Sequence, residues 1–164
     1  MAVDAPLVLL DVDGVLNPTR RSSPRFRRFM CVLESETCRL LLDPRHGAKL
    51  RALERAAGAA LVWATTWGDL ANEEIGPRIG LPALPVVPLL GDPPRPAGVN
   101  VKTWHVAEYV RDRPFVWFDD DLGAADLDYL RDHPGVAEFL IVHVDHRKGL
   151  DDGHLDEALR WLSR

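Results

Sequence analysis

Short apolar runs alternate with amphipathic stretches along this chain. Four to six consecutive apolar residues bounded by turn residues indicate a strand that is buried on both faces. Such runs predict strands at 7–10, 59–64, 115–118 and 139–144, and the intervening patterns predict helices at 43–58, 69–76, 102–111, 124–132 and 152–162. Strands alternating with helices predict βαβ units, and therefore an α/β fold in which a parallel sheet carries helices on both faces.

One segment interrupts the alternation. Residues 18–30 predict an irregular or hairpin excursion, followed by a return strand that includes Val32 and 39–42. Cys31 and Cys38 would then face each other across a turn centred near Ser35. We expect them as free thiols, because cysteine pairs in cytoplasmic proteins are usually reduced.

The next helix carries signals at both of its ends. Asp43 is a typical N-cap residue, and Pro44 is favoured at the first helical position. Gly58 follows the last apolar position and is typical of a helix end. We therefore expect a helix that begins at Asp43 and ends near Gly58.

The length and composition fit one globular domain over 1–164, with 18–42 as a flap. No apolar run approaches the roughly 20 residues that a transmembrane helix needs. The first apolar run has no basic residue before it and is too short for a signal peptide. We therefore expect a soluble, cytoplasmic protein that does not act at a membrane.

The charge is unevenly distributed along the chain. The formal net charge of −5 argues against a general polyanion binder. Between residues 20 and 28, however, there are five basic residues and no acidic one. They are Arg20, Arg21, Arg25, Arg27 and Arg28. Such a run is most often a solvated loop, but it can also attract a phosphorylated substrate.

Polar side chains follow three of the predicted strands. Asp11 and Asp13 follow the first, and residues i and i+2 of an extended chain point to the same side. Residues 65–66 are threonines after the second strand, and 119–121 are aspartates at the end of the third. Lys102 lies one helix before that third strand. Ligands of open α/β sheets bind beyond the carboxyl ends of the strands, so we expect these groups at one site.

In this order, the motifs resemble those of the haloacid dehalogenase-like (HAD) superfamily, whose members are mostly phosphohydrolases. LVLLDVDGVLN at 7–17 resembles the first motif, and ALVWATTW at 60–67 resembles the second. Lys102 matches the lysine of the third, and FVWFDDD at 115–121 resembles the fourth. The spacing, with VHVDHRKGL at 142–150, is similar to that of the small HAD domains associated with RNA-repair proteins.

The resemblance implies a HAD-like Rossmannoid fold and a role for each motif residue. Asp11 would attack phosphorus and form an aspartyl-phosphate, and Asp13 would act as general acid and then as general base. Lys102 would offset the negative charge, and Thr65 would donate a hydrogen bond to the phosphoryl group. A Mg²⁺ cofactor would be held by oxygen ligands. Its implied ligands are Asp11, Asp13 (through its backbone carbonyl), Asp119 and Asp120.

The segments that carry a cap domain in many HAD enzymes are short here. Residues 18–58 have room for a hairpin and one helix, and 68–101 for a short helix and a proline-rich loop. Neither segment can build a separate core, so we expect an open site without a full cap. By resemblance, open members act on large substrates or on phosphates at polymer ends, so the expected substrate is a nucleic-acid end or a nucleotide.

Several alternatives stay open from the sequence alone. The chain could be a non-catalytic HAD-fold module that binds phosphate or a partner protein, or a phosphotransferase that uses the same aspartyl-phosphate. Thr66 competes with Thr65, and Lys102 could be a surface lysine. Asp121 fits the N-cap of the following helix better than a metal ligand. Trp67 could line the site or simply pack.

Overall fold

A four-stranded parallel sheet lies at the centre of the computed structural model, which describes residues 4–164. Residues 1–3 of the predicted domain lie outside the described residues. In chain order, the strands are β1 (Leu7–Leu10), β2 (Arg27–Leu33), β3 (Glu36–Leu42), β4 (Ala60–Trp63), β5 (Phe115–Asp119) and β6 (Phe139–His143). The helices are α1 (His46–Ala57), α2 (Gly76–Ile79), α3 (Val101–Val110), α4 (Ala124–Asp132) and α5 (Asp152–Leu162).

The strand order of the sheet is β4-β1-β5-β6, and all neighbours are parallel. In this register, Leu7 lies opposite both Ala60 and Phe115. The carboxyl ends of β4, β1 and β5 are therefore side by side. The parallel sheet confirms the α/β prediction. The three strands that polar residues follow are adjacent in it.

Helices cover both faces of the sheet. Leu10 and Phe118 belong to one apolar cluster, together with residues of α1, α5 and the β2–β3 hairpin. Leu9 and Trp117 belong to a second cluster, together with residues of α3 and α4. Burying a side chain of this size stabilises the fold by about 1.5–3 kcal/mol. The alternation along each strand thus attaches a helical layer to either side.

The predicted excursion is a regular antiparallel hairpin that lies outside the main sheet. Glu34 and Ser35 form its turn, with positive φ angles of 49° and 75°. Val32 lies in the outgoing strand β2 and not in the return strand β3. Cys31 lies directly opposite Cys38, with 5.1 Å between their Cα atoms, and the two are joined by a disulfide bond. The expectation of free thiols was therefore wrong, since opposite positions on paired strands bring the two sulfur atoms together.

One predicted helix start and one predicted N-cap were wrong. Helix α1 begins at His46, because Asp43 forms a turn before it, accepting the N–H of Arg45 on its carboxylate and that of His46 on its carbonyl. Helix α4 has Gly123 and not Asp121 as its N-cap. The end of α1 at Gly58, whose φ is +61°, confirms the predicted stop.

The predicted short helix at 69–76 was also displaced. A π-helical turn spans Ala71–Ile75, and α2 continues from it to Ile79. In the proline-rich loop, Val86 forms a single isolated bridge to Trp63. Within residues 4–164, every helix is too short or too polar to cross a bilayer.

Candidate active site

The first carboxylate of the site follows β1 directly. The N–H of Asp11 donates to the carbonyl of Phe118 at 3.2 Å, which continues the pairing of β1 with β5 by one residue. Asp11 Oδ1 accepts the N–H of Val12 at 2.8 Å, and only 6% of the residue is exposed. The strand end thus holds this carboxylate in one orientation at the edge of the sheet.

Lys102 connects the carboxylates of two strands. It lies in the first turn of α3. The N-cap residue of this helix is Asn100, and its side chain accepts the N–H of Lys102 at 2.9 Å. Its Nζ lies 3.1 Å from Asp11 Oδ2 and 2.6 Å from Asp119 Oδ2. Burial opposes the charged ammonium, but the two carboxylates outweigh it and raise the pKa of Lys102. Lys102 is therefore a charged member of the site and not a surface lysine.

Three carboxylates form a cluster around this ammonium. Asp11, Asp119 and Asp120 each have an oxygen atom within 4.8 Å of the others. Burial, opposed by Lys102 and reinforced by Asp119, raises the pKa of Asp11 to about 7. Burial and the Asp119 charge also raise the pKa of Asp120. Three carboxylates with one ammonium lack positive charge, and a divalent cation with oxygen ligands would supply it.

Gly14 allows Asp120 to enter the cluster. A Cβ atom at Gly14 would lie 2.3 Å from Asp120 Oδ2, which is closer than any real contact of this kind. The φ angle of Gly14 is +81°, a conformation that glycine adopts without strain. The glycine of the first motif is thus required by the carboxylate of the fourth.

Asp13 lies outside the carboxylate cluster that Asp11 joins. It is exposed, and both of its carboxylate oxygens accept hydrogen bonds. Trp67 Nε1 donates to Oδ2 at 2.9 Å, and Asn17 Nδ2 donates to Oδ1 at 3.0 Å. These donors hold the exposed Asp13 carboxylate in place beside the cluster. Metal binding through its backbone carbonyl stays a prediction.

The second strand end brings Thr65 next to the first motif. The N–H of Ala64 donates to the carbonyl of Leu10 at 2.8 Å, so the chain after β4 stays beside β1. Thr65 is buried and Thr66 is exposed, which favours Thr65 as the site residue. Thr65 Oγ1 accepts the N–H of Trp67 at 3.2 Å, and its hydroxyl hydrogen is available to another acceptor.

A buried carboxylate behind the site ties two helix starts together. Asp126 accepts hydrogen bonds from Asn100 N at 2.8 Å, Thr103 Oγ1 at 2.7 Å and Gly123 N at 2.9 Å. The start of α3, which carries Lys102, is thereby fixed to the start of α4. The backbone N–H of Asp121 donates to Asp119 Oδ1 at 2.9 Å. The cluster of three carboxylates does not include that of Asp121.

Sequence reasoning left Trp67 open between lining the site and packing, and it assigned no role to Asn17 or Asp126. Trp67 lies two residues after the threonine motif, and that spacing was the available signal for it. Asn17 and Asp126 had none, because each acts through a contact between segments that are distant in the sequence or turned by a loop. Asn17 also binds the hairpin, since its Oδ1 accepts the N–H of Leu41 at 2.8 Å.

An open cleft of about 830 Å³ extends from Asp13 along the β2–β3 hairpin. The loop after β1 forms one wall and the hairpin forms the other. Its lining comprises Asp13, Gly14, Asn17, Pro18, Thr19, Arg28, Phe29, Met30, Arg39, Leu40 and Leu41. The cleft therefore adjoins the site at Asp13 and Gly14, and it is large enough for more than a phosphate group.

Comparison with protein families agrees with this geometry. Residues 7–155 match the family described as the HAD domain in Swiss Army Knife RNA repair proteins. The comparison with curated proteins gave no match, and the comparison with solved structures gave none either. The matched range includes all six predicted site residues and extends over most of the chain. The chain therefore belongs to the family of HAD domains found in Swiss Army Knife RNA repair proteins.

Proposed function

We propose that this protein is a Mg²⁺-dependent phosphatase that forms an aspartyl-phosphate on Asp11. Its substrate is an accessible phosphate ester, at a nucleic-acid end or on a nucleotide. HAD superfamily members are mostly phosphohydrolases, so the family supports hydrolysis of phosphate esters in general. The Mg²⁺ requirement, the intermediate, the substrate and a cytoplasmic location are our additions to that general assignment.

One observation carries the proposal. Lys102 Nζ lies 3.1 Å from Asp11 Oδ2 in a cluster that also contains Asp119 and Asp120. An aspartate can attack a phosphate dianion only where positive charge offsets their repulsion. The ammonium supplies one positive charge, and the three carboxylates around it have the oxygen chemistry that Mg²⁺ prefers.

The cofactor fits the residues that are present. Asp11, Asp119 and Asp120 would hold Mg²⁺, together with the Asp13 carbonyl implied by the family motif. When bound, Mg²⁺ would neutralise charge on the phosphoryl oxygens and draw the phosphate towards the nucleophile. Burial of Asp11 and Asp119 keeps the charge of these carboxylates effective, since few water molecules screen it.

The proposed reaction consists of two successive displacements at phosphorus, in which the two motif aspartates have different roles. An Asp11 oxygen forms a bond to phosphorus while the bond to the leaving oxygen breaks, and Asp13 gives its proton to that oxygen. Water then attacks the aspartyl-phosphate, Asp13 takes a proton from the water, and the bond between phosphorus and Asp11 breaks. Lys102 and Thr65 stabilise the phosphoryl oxygens in both steps.

Phosphate release from a panel of substrates tests the proposal. The panel contains an aryl phosphate, mononucleotides and oligonucleotides with a 5′- or 3′-terminal phosphate, each with Mg²⁺ and with EDTA. We expect Mg²⁺-dependent release by the wild type and its loss in Asp11→Asn. Asp128→Asn is the matched control, because it changes an exposed aspartate of α4. No release from any substrate by folded protein would contradict the proposal.

The intermediate has a separate test. In Asp13→Asn, the aryl oxide of an aryl phosphate still leaves without a proton donor, but the second step has no base. The phosphoryl group should then accumulate on Asp11, where intact-protein mass spectrometry and peptide mapping detect it. An unmodified protein that nevertheless turns over would rule out the covalent route.

A non-catalytic phosphate-binding module is the second candidate. Such a module would be favoured by a lysine turned away from Asp11. The 3.1 Å contact between Lys102 and Asp11 instead favours the enzyme. Binding of a phosphorylated oligonucleotide without any phosphate release would reverse this preference.

A further inference from the structure

Two arginines lie in the cleft that leads to Asp13, and the chemistry proposed above does not use them. Arg28 is on β2 and Arg39 is on β3, and both side chains are exposed. Both residues line the cleft of about 830 Å³, whose lining contains a single acidic residue, Asp13. Arginine at such a place can bind a carboxylate or a phosphate group through two parallel hydrogen bonds.

The hairpin register places these arginines on one face. Arg28 is opposite Leu41, and Met30 is opposite Arg39. Residues two apart on a strand share a face, so the four side chains form one patch with a basic residue at each of two diagonal corners. Met30 is 55% exposed, which is high for a large apolar side chain on an otherwise ordered strand. The patch therefore offers both cationic and apolar contact.

The two guanidinium groups are available to a ligand. Among residues 4–164, the arginine ion pairs involve arginines other than Arg28 and Arg39. This local excess of positive charge occurs on a chain whose formal net charge is −5. Charge attraction over the whole surface therefore cannot explain substrate capture, and a localised basic site is needed.

We propose that Arg28 and Arg39 bind a second phosphate of the substrate, next to the phosphate that is removed. The protein would then select the phosphorylated end of an oligonucleotide over a mononucleotide, with Met30 and Leu41 contacting the base or sugar between the phosphates. An acidic phosphopeptide offers carboxylates but no flat base, and the apolar half of the patch favours the oligonucleotide. This inference rests on the proposed phosphatase activity and specifies its substrate.

Kinetics on matched substrates test the inference. We would measure kcat/KM for an aryl phosphate, a mononucleotide and a terminally phosphorylated dinucleotide and hexanucleotide. The double variant Arg28→Gln/Arg39→Gln should lower the preference for the dinucleotide over the aryl phosphate by about 10- to 100-fold, mainly through KM. The salt dependence of KM for the hexanucleotide should also become shallower.

Arg27→Gln is the matched control. Arg27 is the neighbour of Arg28 on the same strand, and its side chain is on the opposite face, next to Pro24 and Asp43. The single variant Arg28→Gln removes one positive charge, and so does Arg27→Gln, so a general effect of charge would appear equally in Arg27→Gln. We expect it to keep the wild-type preference. An equal loss in Arg27→Gln would contradict a specific phosphate site.

The outcomes separate this inference from the proposed function. Wild-type turnover of every substrate with no change of preference in the double variant would overturn the inference alone, as would a preference for an acidic phosphopeptide. If the wild type releases no phosphate, fluorescence anisotropy with a labelled 5′- or 3′-phosphorylated hexanucleotide still tests whether the arginines bind the substrate. Weaker binding in the single variant Arg28→Gln than in Arg27→Gln would support the site, and equal binding of these two variants would overturn it.

Discussion

Trp67 Nε1 donates a 2.9 Å hydrogen bond to Asp13 Oδ2, so the segment after β4 orients a carboxylate of the loop after β1. The same tryptophan donates its backbone N–H to Thr65 Oγ1. One residue thus sets the position of two groups that belong to different motifs. Asp13 is exposed, and without such donors its side chain would sample several rotamers.

Trp67→Phe removes this donor and keeps an aromatic ring. We expect kcat to fall by about tenfold, the amount that corresponds to losing a hydrogen bond of about 1.5 kcal/mol to a charged group. The loss should be larger for a nucleotide than for an aryl phosphate, because a poor leaving group depends more on proton donation by Asp13. Trp161→Phe on α5, away from the site, is the control. Equal losses on both substrates would indicate a structural role only.

Gly14→Ala should weaken metal binding by displacing Asp120. The added Cβ would lie 2.3 Å from Asp120 Oδ2, so that carboxylate must move. We expect the Mg²⁺ concentration for half-maximal activity to rise by about tenfold or more, in line with the loss of one ligand or its support. Gly58→Ala has the same kind of positive φ, +61°, with no atom within 4 Å of its Cβ, and controls for backbone strain. A similar Mg²⁺ requirement in both variants would remove Asp120 from the metal site.

Lys102→Met should destabilise the metal-free protein by about 3–5 kcal/mol, because it leaves buried carboxylates without their partner. Lys49→Met is the matched control. Lys49 Nζ lies 2.6 Å from Asp152 Oδ1, as close as Lys102 lies to Asp119, but that pair is on the surface and contributes much less to stability. Urea denaturation in EDTA measures both changes. Mg²⁺ should restore part of the lost stability in Lys102→Met, and equal losses in the two variants would contradict a buried charge role.

Asp11→Asn should stabilise the metal-free protein at pH 8 and do so less at pH 5. Burial raises the pKa of Asp11 to about 7, above its usual value of 3.8. The folded state therefore prefers the protonated form, and ionising Asp11 lowers stability progressively as the pH rises from about 4 to 7. Asparagine stays neutral and avoids this loss.

Urea denaturation in EDTA at both pH values measures the effect of Asp11→Asn. Glu36→Gln, at the exposed tip of the hairpin, is the control and should show no such trend. A gain from Asp11→Asn that is larger at pH 5 than at pH 8 would show that the Asp11 carboxylate is not destabilised by burial.

The fold and the main carboxylates could be predicted because local signals carried them. Contiguous apolar runs indicate buried strands, and the polar residues that follow 7–10 and 115–118 mark the carboxyl ends of these strands. Parallel pairing of β1 with β4 and β5 then brings Asp11 close to Asp119. Each strand and the polar residues after it could be identified from residues that are neighbours in the sequence.

Three features were not predicted, each for a different physical reason. The disulfide needed the pairing of Cys31 with Cys38, and the expected cellular compartment argued against a bond that the hairpin geometry permits. The start of α1 moved because Asp43 used its hydrogen-bonding groups in a turn before the helix. The role of Asp126 became visible only when α3 and α4 were adjacent, since no periodicity marks a carboxylate with three donors.

The hydrogen bonds of Asp126 have a consequence for how this protein can be altered. They connect the two ends of the segment 100–126, so that the positions of Lys102 and of the loop after β5 both depend on Asp126. Exchanging α4 for that of a relative would shift a lysine that precedes it by more than twenty residues. The hairpin at 27–42 contains no member of the carboxylate cluster. Redesign of substrate preference should therefore begin by grafting hairpins and should carry 100–126 over whole.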